Sequence, residues 1–289
     1  MTDAGRGEAA LSTSNVMVRD ASHIGESSDL NLKAIALRHK TTLTRTLAIA
    51  LFLLAWECAY RLGAANPLFF SGPSLIIEGL IKGFVSGSIW PHLAASGEVA
   101  LLGYILSLLI GIPIGLLMGR STMARDVLEP FIMAFYSAPT AAFLPLLIIW
   151  FGIGLGSKVI LVVTGGIFVI IINTQAGVAN VDRRLIEIAR SFMAGELTIL
   201  RTVVLPSALP FIFAGMRLAI GRVLIMVVVA ELFASNAGVG YLIFQAGAMY
   251  DTTSIFIGVI ILSLTGVAAN SALRALERRL MPWAEANSQ

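Results

Sequence analysis

Charge is what this sequence lacks most. Asp, Glu, Lys and Arg make up 13% of its 289 residues, 57% are hydrophobic, and the mean hydropathy is +0.87; an ordinary soluble domain carries about 25% charged residues. That balance excludes a soluble globular fold. Cysteine is nearly absent too: Cys58 stands alone, so no disulfide and no thiolate metal cluster can form within the chain, and inside an apolar run it reads as a small buried residue. The three histidines, His23, His39 and His92, are scattered. There is no HExxH, no paired aspartates to hold Mg²⁺, and no GxxxxGK[ST] phosphate loop, since "GIGLGSK", "TGG" and "SNAGVGY" lack its Lys-Ser/Thr ending. An ATP site of that type, a nucleophile–base set and a metal centre are all missing, which argues against a membrane-embedded enzyme.

What the chain has in abundance is long apolar runs. Six are near or above the roughly 18 residues needed to cross a hydrocarbon core of about 30 Å, at about 44–63, 98–119, 128–151, 158–179, 207–233 and 253–273. Unpaired backbone groups are not tolerated in lipid, and these runs are too long and uniform for barrel strands, so helices are expected. The fold class is an all-α membrane protein with six transmembrane helices. The net charge of +3 and pI near 9.2 bear on orientation here, with no nucleic-acid partner expected. Lys and Arg favour the cytoplasmic side of short loops. With the N-terminus inside, 15 of the 20 fall there: Arg6, Arg19, Lys33, Arg38, Lys40, Arg45, Arg120, Arg125, Arg183, Arg184, Arg190, Arg201, Arg274, Arg278 and Arg279. Arg61, Lys82 and Lys158 fall outside, and Arg217 and Arg222 within the cytoplasmic half of the fifth span. The expected topology is N-in/C-in. Residues 1–40, polar and Ser-rich with no cleavable signal, are expected as a disordered cytoplasmic tail, residues 41–280 as the transmembrane domain, and 281–289 as a cytoplasmic C-terminal tail.

Between the first two spans, "NPLFFSGPSLIIEGLIKGFVSGSIWPHL" carries Leu75, Ile76, Leu80 and Phe84, which suits either a short amphipathic helix at the outer interface, anchored by Trp90, or a plain connecting loop. Gly111, Gly115 and Gly119 lie four apart on one face of the second span and predict close helix packing. In "SAPTAAFLP", Pro139 and Pro145 each remove a backbone donor and disturb the third span around 135–141. Irregular backbone at membrane depth lines a cavity or is packed in protein, so Tyr136, Ser137 and Thr140 are candidate lining of a path, with Asn173 and Gln175 as further candidates; a kink that only shapes packing is the competing reading. Glu231, near the outer end of the fifth span, is an expensive residue there, suited to a gate, to the path, or to a structural hydrogen bond. Glu57 and Glu98 sit near span ends and read as solvated.

"EIARSFMAGELTILRTVVLP" (187–206) breaks the apolar pattern. From Asp182 to Met193, Leu185, Ile188, Ala189, Phe192 and Met193 form an amphipathic stripe, with Arg183, Arg184, Glu187, Arg190 and Ser191 on the other face. Asp182 suits the first turn, and Glu187 is spaced to pair with Arg183 or Arg190. Gly195 should break this helix, and a second short helix over Leu197–Val204 should end at Pro206. Pattern alone fits a solvated loop lying on the membrane as well as a knob for a soluble partner. Residue identity favours the knob. The segment resembles the EAA loop of ABC importer permeases, in which Glu-Ala-Ala is followed after three residues by Gly, after nine more by Ile, and then by one residue and Leu-Pro. Glu187, Ala189, Val203, Leu205 and Pro206 fall at matching positions, and Arg190 is also typical. Ile188 replaces an Ala, and Met193 stands where the family has Gly, with Gly195 two residues later; the turn is expected to have moved there. The likeness extends over roughly 45–275: "GIPIGLLMGR", "LPLLIIWFGIGLGSK", "LPSALPFIFAGMRLAIGR" and "VVVAELFASNAGVGYLI" are similar to the branch importing sulfonates, taurine, nitrate and related solutes.

This resemblance implies a non-catalytic permease subunit of the bacterial inner (plasma) membrane, forming a path for a small solute by alternating access. It implies two copies of a cytoplasmic ABC ATPase that bind the ATP and Mg²⁺, a second permease chain completing a homodimer, an extracytoplasmic solute-binding protein, and surrounding lipid. Glu187, Ala189, Arg190, Met193, Gly195, Leu205 and Pro206 would form the ATPase-contacting coupling segment within 182–206. A secondary transporter driven by an ion gradient is the main rival. It calls for several intramembrane acids or matched broken helices in two halves, which the sequence does not contain.

Overall fold

The computed structural model describes residues 43–63 and 69–281. The N-terminal tail expected over 1–40 lies outside these residues, as does the C-terminal tail except for Met281. Met281 is buried with Phe213, Ile220 and Leu273 and so belongs to the helical core. The chain divides into two units, residues 1–65 and 66–289. The first contains α1 (Leu43–Arg61), a 19-residue helix of membrane-spanning length. Cys58, expected to be buried, is exposed on it; among the described residues of this unit α1 is a single helix, which has no interior in which to hide a side chain.

The second unit is helical throughout its described length: α2 (Pro73–Val85), α3 (Trp90–Arg120), α4 (Thr122–Ser137), a 3₁₀ turn (Thr140–Phe143), α5 (Leu144–Phe151), α6 (Leu155–Ala179), α7 (Arg183–Ser191), α8 (Glu196–Ile199), a π-helical turn (Leu200–Val204), α9 (Leu205–Ala234), α10 (Val239–Ala248) and α11 (Thr252–Leu280). The chain has five helices long and apolar enough to span a membrane, or six if the bent pair α4–α5 counts as one. The predicted runs match these helices, although α3 begins eight residues before the expected span, at Trp90. The amphipathic α2 also forms, with Ile76 turned inward. Lys82 pairs with Glu78 one turn away on its exposed face and holds that carboxyl below its ordinary range.

The core is three helices held by glycine. A Cβ on Gly103, Gly111, Gly115 or Gly119 of α3 would meet Val162, Ile170, Thr174 or Val178 of α6 at 2.3–3.0 Å, and Ser107 lies against Gly166. These partners advance together in steps of four, so α3 and α6 run parallel with backbones in near contact, as a small-residue stripe permits. The adjoining face of α6, one residue and so about 100° round, uses the same device against α9 in reverse order: Gly165 meets Met226, Gly215 meets Asn173, and Gly177 meets Phe211, an antiparallel pair. Two parallel neighbours require the chain to return between them, and α4 and α5 supply that return.

The return is broken by an 89° bend. Ala138, forced out of the helical region by the following proline, is extended at φ −70°, ψ 145°. Of the two prolines expected to disturb this span, Pro139 alone does so. Pro145 occupies the first turn of α5, where its missing N–H has no intrahelical partner to lose.

Candidate functional site

The charged segment folds as a helical hairpin. Asp182 caps α7 by accepting from the Arg184 N–H at 2.9 Å. The helix ends with Ala194 N–H donating to the Ala189 carbonyl at 3.1 Å and Met193 N–H to that of Arg190 at 2.8 Å, the paired bonds of a Schellman turn. This geometry needs a left-handed residue at Met193, and Met193 has φ +57°. The turn has therefore not moved to Gly195, which is extended at φ −69°, ψ 159°. Met193 takes up the conformation for which glycine is best suited, with its side chain 95% exposed.

Pro206 also differs from expectation. It does not end the second short helix: α8 runs through the π-helical turn directly into α9, giving one helical path from Glu196 to Ala234. A proline ring crowds the carbonyl four residues back and has no N–H to give it; the wider π turn over 200–204 relieves that conflict.

On α7, at 100° per residue, the apolar residues 185, 186, 188, 189, 192 and 193 cover an arc of about 160°. One edge of that arc, Ile186 and Ala189, packs with Ala194 against the core formed by Val178, Val181, Ile199, Val204, Ala208 and Ile212. The other edge is uncovered: Leu185, Ile188 and Phe192 are 47%, 54% and 82% exposed. The apolar arc is thus only half covered. Ile186, left out of the stripe in the sequence reading, is the residue that docks. The charges are also arranged differently. Glu187 is exposed and makes no ion pair among the described residues. Arg190 pairs instead with Glu196 at 3.1 Å, and Glu196 also holds Arg120 at the end of α3. Glu196, which sequence reasoning missed, ties the hairpin to the bundle; its position one residue after Gly195, opening α8, was the available signal. Of the expected coupling residues, Glu187, Arg190, Met193 and Gly195 are exposed, whereas Ala189, Leu205 and Pro206 are partly buried beneath them.

The candidate path residues Tyr136, Ser137 and Thr140 lie together at the break between α4 and α5. Arg222 of α9 is 5.0 Å from the Tyr136 ring centroid and donates to its hydroxyl at 3.4 Å. One turn further along α9, Met226 receives the Thr140 hydroxyl at 3.6 Å. Asn173 donates to the Val169 carbonyl and packs against Gly215, which commits it to the α6–α9 contact.

Glu231 stands apart from this group. It is fully enclosed, accepting from the Ser96 hydroxyl at 2.8 and 2.9 Å and from Gly240 N–H at 2.8 Å. Ser96 accepts in turn from Val239 N–H at 2.8 Å. The carboxylate thus clamps the "SNAGVG" loop and α10 onto α3 and α9. Gly238, at φ +129°, passes so close that a Cβ there would lie 2.3 Å from the carboxylate carbon. Of the three readings open from the sequence, the structural hydrogen bond describes this geometry.

The family described as "binding-protein-dependent transport system inner membrane component" matches residues 111–282. The chain is 35% identical over 240 residues to the taurine transport system permease protein TauC of Escherichia coli, covering 81% of this chain and 87% of that protein. It is 35% identical over 234 residues to the putative aliphatic sulfonates transport permease protein SsuC of Bacillus subtilis, covering 81% and 85%. Among solved structures, an amino acid ABC transporter crystallised with histidines aligns with a TM-score of 0.56 at 18% identity, over 69% of this chain and 97% of that one, a likeness of fold.

Proposed function

Because the chain belongs to the family of binding-protein-dependent transport system inner membrane components, and is accordingly a non-catalytic, multi-pass permease subunit of an ABC transporter served by a separate ATPase, we propose that its 182–206 hairpin is the coupling element that docks into that ATPase. The observation that carries this reading is the half-covered apolar arc of α7. Leu185, Ile188, Phe192 and Met193 form an exposed apolar tip beside the unpaired Glu187, on a hairpin fastened to the bundle by Glu196 and by the continuous helix into α9. Exposed ion pairs are individually worth roughly 0–1 kcal/mol, so transmission of force rests on the apolar tip and on that rigid attachment.

The same reading includes six crossings with both termini inside. It is supported by the excess of Lys and Arg on the hairpin side and by the parallel α3 and α6, which call for α4–α5 to recross between them. Two copies of the permease, two ATPases and an external binding protein complete the transporter, and alternating access moves the solute. The solute is a small sulfonate, a reading supported by the relatives named for taurine and aliphatic sulfonates.

Glu187→Lys tests the docking. The variant should insert normally and keep its melting behaviour, but lose co-purification with the ATPase; retention of the complex at wild-type yield overturns the assignment.

A further inference from the structure

The fifth span carries two arginines, and the structure treats them differently. Arg217 is neutralised by Glu277 of α11. Arg222 has no carboxylate within ion-pair distance among the described residues, and its contacts are the ring and hydroxyl of Tyr136. An arginine inside a membrane span is costly unless it meets a partner or water. Arg222 lies 17 residues from Leu205 and 12 from Ala234, about 26 and 18 Å along α9 at 1.5 Å per residue, just past its middle rather than in the cytoplasmic half expected from the sequence, and too deep for a lipid phosphate to serve it. The α9 surface around it is open: Arg222 and Gly221 are both exposed, and a Cβ on Gly221 would meet nothing within 4 Å. Directly opposite is the broken end of α4, with the exposed Ser137 next to Tyr136. Interrupted helices near the midplane are where transporters place solute sites.

We propose that Arg222, with Tyr136 and Ser137, forms an anion subsite in the translocation path that takes the oxyanion head of the solute. This rests on the reading of the solute as a sulfonate. A guanidinium has five N–H donors in a planar fork suited to two oxygens of one oxyanion; one is directed at the Tyr136 hydroxyl, and the others are open to the solute. Tyr136 fixes the plane of the fork through its ring face, and the Ser137 hydroxyl adds a neutral donor. The passing anion is the missing counter-charge, present in transit and absent afterwards, so the site can release what it binds.

The test uses the complete transporter, permease with its ATPase and binding protein, in proteoliposomes, with taurine and ethanesulfonate as probes. Arg222→Gln should assemble with its ATPase but lose at least about tenfold in ATP-driven uptake, the loss expected for one charge-assisted hydrogen bond. In a Cys58→Ser background, Arg222→Cys should be equally impaired. Its uptake should return after modification with the cationic aminoethyl methanethiosulfonate and not with the anionic sulfonatoethyl reagent, and, in the same background with Arg222 retained, ethanesulfonate should slow modification of Ser137→Cys. A cation serving only to brace Tyr136 would show restoration at 222 without protection of the thiol at 137 by the solute, and that result overturns the subsite. So does wild-type sulfonate uptake by Arg222→Gln, or a thiol at 222 that neither reagent reaches. A wild-type transporter that moves neither probe overturns the sulfonate reading itself, and the subsite as an oxyanion site for sulfonates with it.

Discussion

Met193 holds a conformation that its side chain resists, and replacing it with glycine should stiffen the hairpin. At φ +57° a residue with a Cβ is disfavoured by about 1–2 kcal/mol relative to the right-handed region. Glycine removes that cost but adds about 0.5–1 kcal/mol of backbone freedom to the opened state. Loss of the side chain subtracts almost nothing, since Met193 is 95% exposed and contributes almost no burial to the isolated permease. The net gain for Met193→Gly is about 0.5–1 kcal/mol, which at 1.36 kcal/mol per decade is a roughly two- to fivefold rise in protection. The gain is local, so a global melt is the wrong assay. Hydrogen exchange on the permease in nanodiscs is the right one, read at the amides of Met193 and Ala194, whose bonds to Arg190 and Ala189 close the turn. Met193→Val supplies the opposite perturbation, because a β-branched residue tolerates this region less well than Met, and exchange there should speed up. Equal protection in all three proteins would refute the claim that the turn sits at 193 under strain. The same change should weaken ATPase binding despite the stiffer hairpin, because it deletes part of the exposed apolar tip.

Gly238→Ala sets a methyl 2.3–2.5 Å from the Glu231 carboxylate; displacing that group from its hydrogen bonds should cost about 2–4 kcal/mol, read as a lowered melting temperature of the purified permease, and an unchanged melt would show that the clamp yields freely. Gly115→Val should loosen the α3–α6 contact, where a Cβ meets Thr174 at 2.6 Å and the Ile171 carbonyl at 2.7 Å, by about 1–3 kcal/mol; Gly97→Ala, with nothing within 4 Å, is the control and should melt within experimental error of wild type. Glu277→Gln leaves the partly buried Arg217 without its counter-charge and should destabilise by about 1–3 kcal/mol, whereas the double change Arg217→Gln with Glu277→Gln should recover most of that loss; a double variant no better than the single one would mean that the pair is not coupled.

How much of this was legible in the chain depended on the range of each interaction. The spans were readable because a membrane helix is specified by its own run of apolar residues, and the bend at Ala138 because a proline acts on the residue directly before it. The 182–206 hairpin was readable as an object, since Asp182, the apolar arc and Leu205-Pro206 are local. Its orientation was not. An arc of about 160° is wider than one contact can cover, and periodicity alone assigns all of it to the inside; whether Ile186 or Ile188 docks is decided by where Val181, Ile199 and Val204 stand in three dimensions. Gly195 drew the turn by composition, yet turn position is set by hydrogen-bond register: the Ala194-to-Ala189 bond requires the residue between Phe192 and Ala194 to be left-handed, whatever its identity. The partners of Glu231 and Arg222 were beyond reach for a simpler reason. Ser96 is 135 residues from Glu231, and Tyr136 is 86 from Arg222, and no local pattern joins them. Both pairs are made by packing: the close, glycine-lined α3–α6–α9 contacts bring Ser96 to Glu231, and the return bent before Pro139 brings Tyr136 to Arg222. A sequence reading can identify an ionisable residue in a span as out of place. Only the packing distinguishes Glu231, whose two oxygens both have partners, from Arg222, whose charge is still open to a partner.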